Sequence, residues 1–339
     1  MEPMSDINLR IGFVASMEQY QPSFLLSLVT EIEKAGFDSI WASDHFHPWF
    51  HTNAAGGFAW VWIAAAVERS KKLSFGTAVT CPTLRYNPAI IAQAFATLGS
   101  MYPRRIFLGL GTGEAMNEMP VGCPWPSFKT RVKMLEEAVM VIKKLWNESF
   151  IDFKGKYYTL RRANLYTRPA APIPIYIAAS GSTVAELAGR LADGFLTIPL
   201  EESHYREVIF PALERGVKSV GRSLKDIDMA VEVYVSYDED YDSALRSVRC
   251  WAATLLPFMF KYPIYDPREI ELYGKLVGDE HLKKVWMIGT TPEDHIKHIE
   301  HYIKLGFRNI HVTSSSPDEK KTISMYGGQV IPYLKSTYK

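Results

Sequence analysis

Cysteine is scarce: Cys81, Cys123 and Cys250 are the three in 339 residues. They are odd in number, scattered, and form no C-x-x-C pair. That pattern excludes a disulfide scaffold and offers no thiolate set for structural zinc or redox exchange, so they read as reduced thiols. Long apolar runs are missing as well. No stretch approaches the roughly 18 residues needed to span a bilayer, and the opening MEPMSDINLR lacks the apolar segment of a signal peptide. A cytoplasmic protein with no membrane partner is expected. Nor does one charge dominate. Lysine plus arginine (38) nearly balances aspartate plus glutamate (37), leaving no basic field for nucleic acid or an anionic surface. A small molecule is the default partner.

What the chain has is alternation. Short β-branched or apolar runs at 8–16, 37–43, 72–80, 104–113, 174–180, 193–199, 227–238 and 308–314 read as strands. Amphipathic stretches between them read as helices, among them 23–36 closed by Gly36, a helix opened by Asn87-Pro88, 127–146, one near 241–255, and 291–306 capped by Thr291. Eight strands separated by helices, without linker or short repeat, predict α/β architecture: a single (β/α)₈ barrel spanning 1–339. An open doubly wound sheet is the alternative. Residues 150–160 read as a β-hairpin insertion turning at Lys154-Gly155, and 256–284 as an irregular, aromatic-rich insertion. Eight tryptophans within 13% aromatic residues suffice for a large core and an aromatic-lined pocket.

In a barrel the chemistry sits on loops at the C-terminal strand ends. DHFHPWFH (44–51) follows the second strand there, and its residues alone fit a metal site, a proton-transfer site or a packed loop. Asp44, His45, His47 and His51 include an H-x-H, but a barrel metal site needs ligands from later strand ends, and PIYIAAS and GFLTIP supply none. His295, His298 and His301, three apart between isoleucines, are placed on the polar part of a helix. Proton transfer is the stronger functional reading: His45, beside Asp44 and close to Trp49, can serve as general base. GLGTGEAMNE (109–118) lacks the third glycine of a dinucleotide fingerprint. Its glycines still let a flat ring approach the backbone, with Glu114 as a candidate proton donor. In AASGSTVAELAG (178–189) small residues run into a helix N-terminus, which suits the phosphate of a cofactor.

With these stretches in place, ASMEQYQP (15–22), SDHFHPW (43–49), CPTLRYNPAIIAQAFATL (81–98), GTGEAMNE (111–118) and MFKYPIYDP (259–267) resemble the bacterial-luciferase-like barrel superfamily. The similarity lies in its branch dependent on the deazaflavin coenzyme F420, among secondary alcohol and glucose-6-phosphate dehydrogenases, and covers nearly the whole chain. The resemblance implies hydride transfer between a substrate C–H and the deazaflavin C5, and a homodimer. It also implies that His45 takes the hydroxyl proton, that Trp49 packs near the oxygen, and that Glu114 exchanges a proton with the reduced ring. Asp44, Thr112, Gly113 and Asn117 would contact the cofactor, Ala178, Ala179, Gly181 and Ser182 its phosphate, and a non-proline cis peptide would fall at Ala78-Val79 behind the ring.

The departures concern substrate. The sugar-phosphate enzymes hold their phosphate with a lysine after strand six and an arginine before strand eight. Here the first region is GFLTIPLEES, and Val285 in KKVWMIG takes the arginine position, leaving Lys261. Each charge-assisted bond contributes roughly 1.5–3 kcal/mol, so a dianion would be poorly held. Leu196, Ile198 and Leu200 favour a small or hydrophobic alcohol, and Tyr234 stands where the alcohol enzymes carry tryptophan. A deazaflavin-dependent alcohol dehydrogenase is expected. The rivals are a sugar-phosphate dehydrogenase, a flavin monooxygenase of the same fold, and a metal-dependent barrel hydrolase.

Overall fold

The computed structural model describes residues 9–338. Asn8, where the first expected strand begins, and most of the opening stretch read for a signal peptide lie outside that range. Eleven strands form in the described residues: β1 (Arg10–Ala15), β2 (Ser39–Ala42), β3 (Ser74–Thr77), β4 (Leu108–Leu110), β5 (Ile151–Lys154), β6 (Thr159–Ala163), β7 (Ile175–Ala178), β8 (Gly194–Thr197), β9 (Asp228–Tyr237), β10 (Met287–Gly289) and β11 (Asn309–Ser314). Eight of them run in parallel in the order β3-β2-β1-β11-β9-β8-β7-β4. Single bridges, Phe75 to Ile106 and Thr80 to Leu110, bring β4 back to β3 and close the ring. This is the (β/α)₈ barrel that the alternation predicts.

Alternation along the strands divides the core in two. Val14, Trp41, Phe107, Tyr176, Leu196 and Ala230 pack together inside the ring, with Trp41 and Phe107 centroids 4.1 Å apart. Their strand neighbours, such as Phe13, Ile40 and Ile177, join the larger cluster beneath the helices. Local chemistry sets the helix ends. The Asn87 side chain accepts from Ala89 N–H to open Pro88–Met101, and Ser127 accepts from Thr130 N–H to open Phe128–Asn147. Thr291 and Asp294 form a reciprocal capping box ahead of Pro292–Leu305, which Gly306 ends at φ 108°. Such caps contribute about 1 kcal/mol each.

Both insertions form, with adjustments. The hairpin β5–β6 is antiparallel and reaches Ala163; its turn is gathered by Glu137, whose carboxylate accepts from the N–H groups of Lys156, Tyr157 and Tyr158. The 256–284 region is less irregular than its composition suggests, containing the helices Pro267–Gly274 and Asp279–Val285. Its Met259, Ile270 and Leu282 join Trp49, Phe50, Trp251 and Trp286 in a second apolar cluster over the barrel mouth. The helix expected near 241–255 splits into Tyr241–Ser247 and a tighter 3₁₀ turn, Val248–Leu255. β10, which extends the sheet beside β9, and the closing helices Glu319–Met325 and Ile331–Thr337 have no counterpart in the sequence reading.

One placement is corrected. His295 is not on the polar part of its helix but fully buried, Nδ1 3.0 Å from the Tyr326 hydroxyl, which belongs to the tail packed against it. Burial, with His298 nearby, lowers its pKa to about 3. The folded state therefore holds it neutral, while an unfolded chain protonates it below its ordinary 6.5. Stability is expected to fall as pH drops through that value, by about 2 kcal/mol between pH 7 and 5 for this ring alone. Urea titrations at the two pH values check the sign; equal midpoints would exclude a neutral buried His295.

Candidate active site

A cavity of about 380 Å³ opens at the C-terminal ends of the barrel strands. The octet and GTGE loops meet there, as their positions after β2 and β4 require. His45 is the centre. Its Nε2 lies 3.2 Å from Glu18 Oε1 and 3.5 Å from Glu114 Oε2. The Asn117 amide fixes the ring from the other side: Phe46 N–H donates to Asn117 Oδ1 at 2.8 Å, placing Nδ2 3.3 Å from His45 Nδ1 and 3.1 Å from Glu114 Oε2.

Electrostatics follow from this packing. Burial alone would lower the His45 pKa, but the Glu18 and Glu114 carboxylates outweigh it and the net shift is upward. Burial raises Glu114, with His45 pulling the other way. An imidazole flanked by two carboxylates, one of them biased toward its acid form, can take and return a proton near neutral pH.

A second layer orients these groups. Glu18 is buried and accepts a short hydrogen bond from the Ser43 hydroxyl. Arg85 donates to the Asp44 carbonyl at 2.6 Å, lies 3.1 Å from Asp44 Oδ1, and reaches the Asn117 carbonyl at 3.4 Å. It thereby ties the octet to the helix Ala115–Glu118. Asp44 also accepts from Thr80 Oγ1 and Tyr86 OH. Glu118, fully buried, accepts from Arg85 N–H at 2.8 Å. Glu18 and Arg85 lie within stretches that carry the family resemblance, but neither was singled out; Glu118 was missed too, because a lone acid in a polar stretch reads as solvated.

His45, Trp49, Glu114, Asp44, Ala78, Val79, Thr112, Gly113, Asn117, Ala178, Ala179, Ile198 and Tyr234 all line the cavity. The Ala78-Val79 peptide is cis. Trp49 is buried, its ring 6.2 Å from His45 and 5.3 Å from Phe260 of the 256–284 region. Tyr234 stacks on Trp286 at 5.2 Å. Four expected residues stand off the wall. Gly181 and Ser182 lie just beyond Ser180, at the exposed N-terminus of helix Ser182–Leu191, where a Cβ on Gly181 would meet nothing within 4 Å. Lys261 is exposed. Val285 ends its helix and packs in the second apolar cluster, while Trp286, extended at φ −89°, takes the place on the wall expected for Val285. His47 and His51 hold the loop: His47 Nδ1 is 2.9 Å from the Tyr265 carbonyl, and Glu271 accepts from His51 and Thr52 N–H.

Comparison with known proteins gives these features a setting. The family model of luciferase-like monooxygenases matches residues 9–309. F420-dependent glucose-6-phosphate dehydrogenases of Intrasporangium calvum and Nakamurella multipartita are each 41% identical, over 96–97% of this chain and 97–99% of theirs. A solved F420-dependent secondary alcohol dehydrogenase, in complex with an F420–acetone adduct, is 42% identical with TM-score 0.94, over 97% of this chain and 99% of that one. The chain belongs to the F420-dependent dehydrogenases of the luciferase-like family. The F420-dependent tetrahydromethanopterin reductase of Methanopyrus kandleri, 23% identical with TM-score 0.80, shares the fold, over 96% of this chain and 99% of its own.

The cavity fits such a coenzyme. Gly111 and Gly113 pack so closely on Val79 and Cys81 that a Cβ on either would stand 2.5–2.6 Å from those side chains, so this wall is flat backbone. Arg131 supplies an unbalanced charge: buried, 3.8 Å over the Trp125 ring, it donates to the carbonyls of Thr112 and Pro126 and pairs with no carboxylate among the described residues. A buried cation without an anion, next to an open helix N-terminus, suits an acidic tail.

Proposed function

We propose that this enzyme oxidises a secondary alcohol rather than a sugar phosphate. The two substrate classes stand equally close by sequence identity, so the choice rests on the cavity wall. Arg131 is the one lysine or arginine lining it among the described residues, and it is the cation already assigned to the acidic tail of the coenzyme. The lining also includes Trp49, Tyr234, Trp251, Met259, Phe260, Trp286 and the acid Glu232. Such a wall desolvates a dianion without a counter-charge, while it accepts a small alcohol. Leu196 and Ile198 add apolar surface; Leu200, grouped with them in the sequence, packs against the core instead.

When bound, coenzyme F420 supplies a deazaflavin ring that accepts a hydride at C5. His45 takes the hydroxyl proton at Nε2, where the Glu18 carboxylate stabilises the imidazolium. Glu114, raised toward its acid form, holds the proton destined for the reduced ring. Trp49 closes the site to water from the 256–284 side. Asp44, Thr112, Gly113 and Asn117 hold the coenzyme head, and Ala178, Ala179, Gly181 and Ser182 its phosphate. The homodimer implied by the family resemblance and the cytoplasmic setting expected from the sequence belong to the same proposal; among the described residues no helix is long and apolar enough to cross a membrane. Light scattering on the pure protein tests the dimer, a monomer mass counting against it.

Mixing protein and oxidised F420 with isopropanol or glucose 6-phosphate tests the substrate class. The coenzyme absorbance should bleach with isopropanol. Bleaching with the sugar phosphate alone would overturn the alcohol reading.

A further inference from the structure

The chemistry above gives no task to Glu232, a half-buried acid in the cavity wall. Glu232 stands in β9 two residues before Tyr234 and two after Ala230, so the three side chains leave one face of the strand. Ala230 packs in the apolar centre of the ring, whereas Glu232 and Tyr234 line the cavity above it. Thr313, in the neighbouring β11, donates to Glu232 Oε1 at 2.5 Å and is its one hydrogen-bond partner among the described residues. Among the described residues no lysine lines the cavity, and its one arginine, Arg131, is assigned to the acidic tail of the coenzyme.

A carboxyl in a desolvated wall costs stability unless its remaining lone pairs and proton find partners. Burial pushes Glu232 up to about 7, with Glu18, His45 and Glu114 close enough to influence it. Near neutrality it is therefore both a hydrogen-bond donor and an acceptor. Trp286, stacked on Tyr234 and lining the same cavity, has a buried Nε1 with no acceptor among the described residues. A plain secondary alcohol has one hydroxyl, which His45 engages, and leaves both groups unmatched.

We propose that Glu232 is a specificity-determining residue that binds a second hydroxyl of the substrate, so that the preferred substrate is a small neutral diol or polyol. The inference rests on the reading that an alcohol is oxidised at His45. A hydroxyl can donate to the ionised Glu232 or accept from its acid form, whereas an ammonium group has no lone pair to accept with. A buried site left with an unpaired polar group rejects the analogue lacking its partner.

The test compares 1,2-propanediol, isopropanol and 1-amino-2-propanol as reductants of oxidised F420, for the wild-type enzyme, Glu232→Leu and Glu232→Gln. Coenzyme binding, followed by fluorescence, verifies that each variant is folded. The wild type should favour 1,2-propanediol over isopropanol by about tenfold or more in kcat/KM. Glu232→Leu should lower that ratio by about tenfold, mainly through KM, and Glu232→Gln, which still donates and accepts, should keep it within about threefold. A wild-type ratio near one, an unchanged ratio in Glu232→Leu, or a preference for the amino alcohol overturns the inference while isopropanol turnover leaves the alcohol reading intact. If neither alcohol reduces F420 and glucose 6-phosphate does, both fall together.

Discussion

Replacing His45 with alanine is expected to lower kcat for alcohol oxidation by about 10²–10⁴-fold, the range for loss of a positioned general base. The geometry assigns the effect to chemistry, because the His45 ring lines the cavity and both its nitrogens face polar groups. Its Nε2 faces two carboxylates and its Nδ1 faces Asn117, with Arg85 and Asp44 holding the surrounding loops. The alanine variant should still bind F420, since the backbone wall at 111–113 and Arg131 are untouched. The pH profile gives an independent check. The base acts in its neutral form and its pKa is raised, so kcat/KM should rise with pH through an inflection above the ordinary 6.5. The alanine variant should lose that inflection. A loss below about threefold would return His45 to a structural role.

How far the sequence reveals this site depends on which forces act locally. Strand and helix periods, the Asn87, Ser127 and Thr291 caps and the position of both loops after strand ends are written in neighbouring residues, and they sufficed for the barrel and for bringing His45 to Glu114. The Glu18–His45 contact joins residues 27 apart, and Arg85 bonds partners 32 to 41 positions away. No local period marks such pairs, and a buried acid such as Glu118 looks in sequence like any solvated one. Trp286 shows a different limit. Carrying a pocket position over from relatives pointed to Val285, but the chain leaves its helix between the two residues, and the extended backbone at 286 turns the indole inward instead. His295 escapes local pattern for a related reason: its partner, Tyr326, lies 31 positions away, in the tail that packs against its helix.

Gly109→Ala is expected to be the most damaging single change to the fold. The barrel closes between β3 and β4 with two isolated bridges, whereas the other neighbouring strands share longer ladders. Gly109 sits at that seam. Its carbonyl accepts from Thr77 Oγ1 and from Thr80 N–H, each at 2.9 Å. A Cβ added there would stand 1.9 Å from the Thr77 carbonyl oxygen, which is backbone and cannot rotate away as a side chain could. β4 would have to retreat, stretching both hydrogen bonds in a buried wall. Overpacking plus weakened buried bonds should cost about 3 kcal/mol or more, a fall in Tm of about 4 °C or more for a domain of this size. The displacement would also move Thr112, Gly113 and Glu114 at the end of the same strand, so F420 affinity should weaken in parallel. Gly278→Ala is the control: its Cβ would meet nothing within 4 Å at an ordinary φ of −79°, and its Tm should stay within about 1 °C of wild type. Thermal scans of the two variants decide the matter. If Gly109→Ala melts with the control, the seam has room to yield, and closure of the barrel there is looser than its contacts show.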